Sequence, residues 1–214
     1  MNENIKGAVF DVDGTILDSM NIWYKVAEDF FADLGHYFTE ELATKAKEMP
    51  LEESVPYLID LWSLDITTEY AIQTMKNMMV EAYKNTIEPK PYVCDYIKKL
   101  HDEGVKIAIA TSGYKELCTE TFKRIGIYEY IDEYAFTTEV GCDKSNPDIY
   151  LLAAKRIGIN PQDCMVYEDI VKGIGGAKKG GFKACAIYDD TNAEDTEELK
   201  SIADIYITSW KELL

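Results

Sequence analysis

Apolar residues along the chain follow two different periods. Gly7 to Asp11 is a short, nearly continuous apolar run, the signature of a strand buried on both faces. From about Met20 to Thr86 no strand pattern occurs. Apolar residues there recur three or four apart: Ile22, Val26, Phe30, Phe31 and Leu34, then Val55, Leu58, Ile59 and Trp62, then Ala71, Met75, Met78, Met79 and Ala82. Such spacing lines one face of a helix and predicts an all-helical block. Gly35 stops its first helix, and Thr67 or Thr68 caps its last. The methionine and aromatic stripes are read as the core of a helix bundle.

Beyond Glu88-Pro89-Lys90-Pro91 the period changes. Val105–Ala110, Tyr134–Thr137, Cys164–Tyr167 and Phe182–Ile187 predict strands. Helices are expected over Tyr92–Glu103, Tyr114–Ile125, Asp148–Ile157 and Val171–Lys179, the first three ended by Gly104, Gly126 and Gly158. The near-repeat KRIGI, at Lys123–Ile127 and Lys155–Ile159, is two helix C-termini with basic last turns, not a solenoid unit. Strands alternating with helices predict an α/β fold with a doubly wound, parallel, Rossmann-like sheet. Its first two strands are separated by roughly 90 residues, far more than a plain crossover needs. The intervening block therefore reads as an inserted all-helical cap, a lid or specificity element. The expected division is a catalytic core of residues 1–16 and 88–214 and a helical cap of residues 17–87.

Composition narrows the partners. The chain is 47% apolar and 29% charged, ordinary for a globular protein, but carries a net charge of −17. That balance argues against nucleic acid or an anionic membrane, whose phosphates it would repel. An anionic substrate would need local positive charge from a cation, lysines or backbone N–H groups. The five cysteines lie at least 21 residues apart without zinc spacing, as expected of reduced thiols in a cytosolic protein. Nothing before Val9 has the length of a signal peptide, and no apolar run approaches a membrane span. A soluble cytoplasmic protein, monomeric or weakly dimeric, is expected.

In doubly wound sheets ligands bind beyond the carboxyl ends of the strands. Strand one exits as Asp11-Val12-Asp13-Gly14-Thr15, strand two as Thr111-Ser112-Gly113, and strand four as Glu168-Asp169; Lys144 lies past strand three. Each stretch has a plain reading: a turn, a helix cap, a solvated lysine, an acidic helix start. Asp-Gly between apolar segments is also a hairpin signal, but helix-period sequence follows Gly14. Their coincidence at one sheet edge suits phosphate chemistry. Asp11 can attack phosphorus and form an acyl-phosphate. Carboxylates around a phosphate dianion repel one another, so Mg²⁺, a hard cation satisfied by few protein oxygens, is expected between Asp11 and Asp169. Asp13 can serve as general acid and then base. The hydroxyl of Thr111 or Ser112 and the N–H groups of the turn through Gly113 can cradle phosphate oxygens, with Lys144 supplying positive charge.

FDVDGTILDS (Phe10–Ser19), ATSG (Ala110–Gly113), KSNPDIY (Lys144–Tyr150) and VYEDIVKGIGGAKKGG (Val166–Gly181), in this order, resemble the motifs of the haloacid dehalogenase superfamily. The likeness is to its phosphatases with a helical cap after strand one, and it covers essentially the whole chain. The resemblance implies Asp11 as nucleophile and Asp13 as acid/base whose backbone carbonyl also binds Mg²⁺. It implies Thr111 or Ser112 as phosphate ligands, Lys144 as the orienting lysine, and Asp169, helped by Glu168, as metal ligands. The second aspartate, Asp13, separates phosphatases from true dehalogenases. Trp23 occupies a place where relatives line the substrate pocket, although bundle core is its plainer role.

Three departures matter. Ile170 stands where a serine usually follows Glu-Asp. Gly173, Gly175 and Gly176 crowd the next helix, which means either close packing or local softness. The sugar-phosphate mutases of this family use a cap arginine for the distal phosphate. The corresponding stretch here, KAKEMPLEES, has none; Lys45 and Lys47 are its cations, and the chain's two arginines, Arg124 and Arg156, lie in the core. A Mg²⁺-dependent phosphatase of a small phosphorylated metabolite is therefore the expectation, with a mutase or a non-catalytic protein on the same fold as alternatives. His36 and His101 stand outside every motif.

Overall fold

The computed structural model describes residues 5–47, 49, 51–113 and 115–214; the side chains of Trp23, Thr44, Lys47, Leu51 and Glu52 lie outside the description. The chain divides into two compact units, Met20–Thr86 and the remainder. In chain order its elements are strand β1 (Gly7–Phe10), helices α1 (Ile22–Asp33), α2 (Glu40–Lys47), α3 (Leu51–Leu61), α4 (Thr68–Asn85) and α5 (Val93–Asp102), β2 (Lys106–Thr111), α6 (Lys115–Ile125), β3 (Glu133–Phe136), α7 (Thr137–Val140), α8 (Asp148–Ile157), β4 (Cys164–Glu168), α9 (Val171–Lys179), β5 (Lys183–Ile187), α10 (Thr196–Ile202) and β6 (Ile205–Ile207).

The unit Met20–Thr86 holds α1 to α4. Val26, Phe30, Phe31, Val55, Leu58, Ile59, Ala71, Met75 and Met79 are buried, so the apolar stripes form its core. Thr67 caps α4 by accepting the N–H of Tyr70 at 3.2 Å. His36 stacks on Trp62, and the Lys45 ammonium lies over the Tyr57 ring. Helix α2 carries too few apolar residues for periodicity to reveal it.

The other unit is a parallel sheet of order β3-β2-β1-β4-β5-β6, a Rossmann-like arrangement with β1 at its centre. On one face the strands offer small residues (Ala108, Ala110, Ala135, Ala184, Ala186) to Ile149, Tyr150, Ala153 and Ala154 of α8 and Ile174 and Ala177 of α9. On the other face Phe10 stacks on Tyr167 at 4.5 Å, and buried Trp210 packs against both and against Tyr96. The Trp210 indole donates to the carbonyl of Thr15 at 3.2 Å, tying the chain's end to the loop after β1. Strand β6 and helix α10 escape the hydropathy pattern, because one is only three residues long and the other is largely polar.

The glycines of α9 divide by environment. A Cβ on Gly173 would lie 2.3 Å from Cδ of Glu168, and one on Gly176 would lie 2.0 Å from the carbonyl oxygen of Lys144. Helix α9 thus approaches Glu168, at the end of β4, and the backbone of the Lys144 loop closer than any side chain allows. A Cβ on Gly175 would meet nothing within 4 Å. Gly175→Ala is therefore expected to raise stability by about 1 kcal/mol through helix propensity. Gly173→Ala and Gly176→Ala should lower it by about 1–3 kcal/mol through overpacking. Urea unfolding of the three variants checks this; equal stabilisation at all three would show a merely soft helix.

Candidate active site

Strand β1 delivers Asp11 one residue beyond its last ladder pair, with the Asp11 N–H still donating to the carbonyl of Tyr167 at 3.0 Å. The chain then turns sharply. Gly14 takes φ 83°, and the Val12 carbonyl accepts the N–H groups of Ile16 and Leu17 at 2.9 and 2.8 Å. This turn places two carboxylates differently. Asp11 is 4% exposed, whereas Asp13 is partly exposed and accepts the Ser19 hydroxyl at 2.6 Å.

Strand β4 ends in Glu168, which is fully buried and saturated with donors. Its Oε1 accepts the Lys144 ammonium at 2.6 Å and the Tyr150 hydroxyl at 3.0 Å; its Oε2 accepts the N–H groups of Asp169 and Ile170 at 3.1 and 3.4 Å. Lys144, itself buried, also donates to Oδ1 of Asp11. One lysine therefore ties the end of β1 to the end of β4. Asp169, 1% exposed, accepts the Thr15 hydroxyl at 3.3 Å and the Asn192 amide at 2.8 Å.

At the end of β2 the buried Thr111 hydroxyl accepts the Gly113 N–H at 3.0 Å, which shapes the turn; Ser112 is exposed. A Cβ on Gly113 would lie 3.7 Å from Oδ2 of Asp13, so this turn sits against the second carboxylate. The structure thus gathers Asp11, Asp13, Thr111, Gly113, Lys144, Glu168 and Asp169 at one edge. The side chain of Trp23 lies outside the described residues. Neither arginine joins the cluster: Arg156 forms a bidentate pair with Glu139, and Arg124 donates to the carbonyl of Ile87 and approaches Glu88 at 3.7 Å.

Sequence reading passed over Thr15, Tyr150 and Asn192. Tyr150 carries a helical signal, lying on the inward stripe of α8 six residues past Lys144. Asn192 carries none, because only β5 and the following loop bring it to Asp169, 23 positions earlier.

Carboxylate oxygens of Asp11, Glu168 and Asp169 lie within 4.8 Å of one another. One lysine cannot balance three buried carboxylates. Burial, reinforced by Glu168 and Asp13 against the pull of Lys144, raises the Asp11 pKa to about 7. Burial, together with Glu168 and Asp11, raises that of Asp169 to about 9. The Lys144 ammonium is held protonated well above its ordinary range, since Asp11 and Glu168 outweigh its own burial. A crowded, oxygen-only donor set with excess negative charge fits a hard divalent cation.

A carboxyl whose folded pKa exceeds its unfolded value of about 4 stabilises the fold below that pH, and the contribution disappears as pH rises through the folded value. Free of divalent cation, the protein should lose stability as Asp11 and then Asp169 ionise, from about pH 4 through about 7 to about 9. Asp169→Asn should flatten the upper part of that decline. Urea midpoints in EDTA at about pH 5 and about pH 8 measure it, and a midpoint rising over that range would contradict it.

Comparison with known proteins finds relatives over most of the chain. Residues 5–181 match the family described as haloacid dehalogenase-like hydrolase. A phosphorylated carbohydrates phosphatase of Thermotoga maritima is 24% identical, covering 84% of this chain and 83% of its own length. The fructose-1-phosphate phosphatase YqaB of Escherichia coli is 26% identical, over 86% of this chain and 97% of its own. Among solved structures, a Thermotoga maritima protein provisionally named a beta-phosphoglucomutase superposes with a TM-score of 0.87 at 22% identity, over 98% of this chain and 97% of its own, a likeness of fold. With a family match over most of its length and the acidic edge in place, the chain belongs to the haloacid dehalogenase-like hydrolases.

Proposed function

We propose that the protein is a Mg²⁺-dependent phosphatase of a small phosphorylated metabolite, a sugar phosphate or similar phosphomonoester, working through an aspartyl-phosphate on Asp11. The observation that carries this reading is Lys144 holding Asp11 at the end of the central strand, with Glu168 and Asp169 alongside. The helical unit Met20–Thr86 is read as the substrate-selecting cap.

Asp11 attacks the phosphorus through a carboxylate oxygen, and the bond from phosphorus to the ester oxygen breaks. The leaving oxygen takes its proton from Asp13, which the Ser19 hydroxyl holds by one carboxylate oxygen. A water then attacks the phosphorus and gives its proton to Asp13. The bond from phosphorus to Asp11 breaks, releasing inorganic phosphate and restoring the carboxylate. Lys144 orients Asp11 and offsets charge on the phosphoryl oxygens. The hydroxyls of Ser112 and Thr111 are donors for those oxygens, whereas the Gly113 N–H is engaged within the turn. Held by Asp11, Asp169 and the Asp13 carbonyl, with Glu168 in support, Mg²⁺ would offset the mutual repulsion of phosphate and carboxylates.

The substrate class follows the relatives at 24% and 26% identity, whose names specify phosphorylated carbohydrates and fructose 1-phosphate. The arginine-free stretch KAKEMPLEES supports hydrolysis over transfer to a second hydroxyl, since a lysine cannot grip a distal phosphate bidentately.

Asp11→Asn is expected to lower Mg²⁺-supported turnover of p-nitrophenyl phosphate by about 10³-fold or more. Turnover at the wild-type rate would remove Asp11 as nucleophile. Wild-type enzyme given a hexose 1-phosphate should release free phosphate; an isomerised sugar phosphate would establish a mutase instead.

A further inference from the structure

Glu168 and Asp169 are adjacent and buried, yet they are held by different means. Glu168 takes a lysine, a tyrosine hydroxyl and two backbone N–H groups. Asp169 takes two neutral side chains, the Thr15 hydroxyl on Oδ1 at 3.3 Å and the Asn192 amide on Oδ2 at 2.8 Å. Its neighbour Ile170 has no side-chain donor to offer. The terminal torsion of an aspartate is broad and two-fold, so its hydrogen bonds help to define the plane of its carboxylate. The Asn192 contact is the shorter of the two.

The surroundings of Asn192 are built rather than incidental. It lies in a short 3-10 segment, Asp190–Asp195, at a residue that leaves helical geometry (φ −114°, ψ 22°), while its N–H donates to the Asp189 carbonyl at 3.1 Å. Asp189 is 5% exposed and accepts the N–H and hydroxyl of Thr191 at 2.9 and 2.5 Å and the Lys90 ammonium at 2.7 Å. Lys90 also donates to the Tyr188 carbonyl at 2.9 Å, pinning the end of β5. A largely buried ion pair thus fixes the loop that carries the amide.

We propose that Asn192 is a positioning residue that sets the plane of the Asp169 carboxylate for metal binding, with the Lys90–Asp189 pair anchoring its loop. The inference rests on Asp169 being a Mg²⁺ ligand, as read above. Without the amide, Oδ2 loses its donor and the carboxylate can rotate about its last torsion. Losing such an outer partner typically weakens metal affinity about 10- to 100-fold.

The test is Mg²⁺ binding to the full chain by titration calorimetry without substrate, for wild type, Asn192→Ala, Asn192→Leu and Asp169→Asn. Asn192→Leu keeps bulk but removes the donor. Both Asn192 variants are expected to bind Mg²⁺ about tenfold or more weakly. Their kcat for p-nitrophenyl phosphate should recover at saturating Mg²⁺, and their urea midpoints in EDTA should stay close to wild type. Wild-type affinity in either variant, or loss in Asn192→Ala alone, would overturn the assignment of the amide. If wild type binds no Mg²⁺, or Asp169→Asn binds it equally well, the reading of Asp169 as ligand fails and takes this inference with it. A loss confined to Asp169→Asn removes only the role of Asn192.

Discussion

One lysine shared between two of three clustered, buried carboxylates is the constraint around which this structure is arranged. Glu168, fully buried, needs every donor it receives, because an unsatisfied buried charge is far costlier than an exposed one. Lys144 serves Glu168 and Asp11 together, so it cannot also neutralise Asp169. Burial, reinforced by the neighbouring carboxylates, raises the Asp11 and Asp169 pKa values, and the residual negative charge suits the edge to a divalent cation. Stability is given up locally so that charge can be concentrated where a phosphate would react.

The fold supports this concentration by close approach. A parallel sheet brings the ends of β1 and β4 side by side, and its small strand residues let α8 and α9 lie near it. Helix α8 then delivers Tyr150 to Glu168, and α9 comes close enough that Gly173 and Gly176 leave no room for a Cβ. On the opposite face Trp210 reaches the carbonyl of Thr15, whose hydroxyl in turn meets Asp169. Residues near both ends of the chain therefore brace the same carboxylate cluster.

Much of this was legible in the residues themselves. A short apolar strand running into Asp11-Val12-Asp13-Gly14 announces carboxylates at a sheet edge, since a strand buried on both faces has no other use for charge than at its exit. Alternation of strands and helices after Pro91 implies a doubly wound sheet, and glycines after α6 and α8 take the positive φ expected of helix stops. Periodicity is less informative for short or polar elements, which is why α2, α10 and β6 had no signal.

The sequence by itself determined the chemistry of the strand ends and the class of fold, because hydrophobic period and turn residues act over a few positions. Tertiary structure alone decided the sheet order, the tight packing behind Gly173 and Gly176, and the pairing of Asn192 with Asp169. It also decided that Lys144 faces two carboxylates and leaves the third. Those are contacts between segments far apart in the chain, and local preference carries no record of which distant groups burial will force to share a charge.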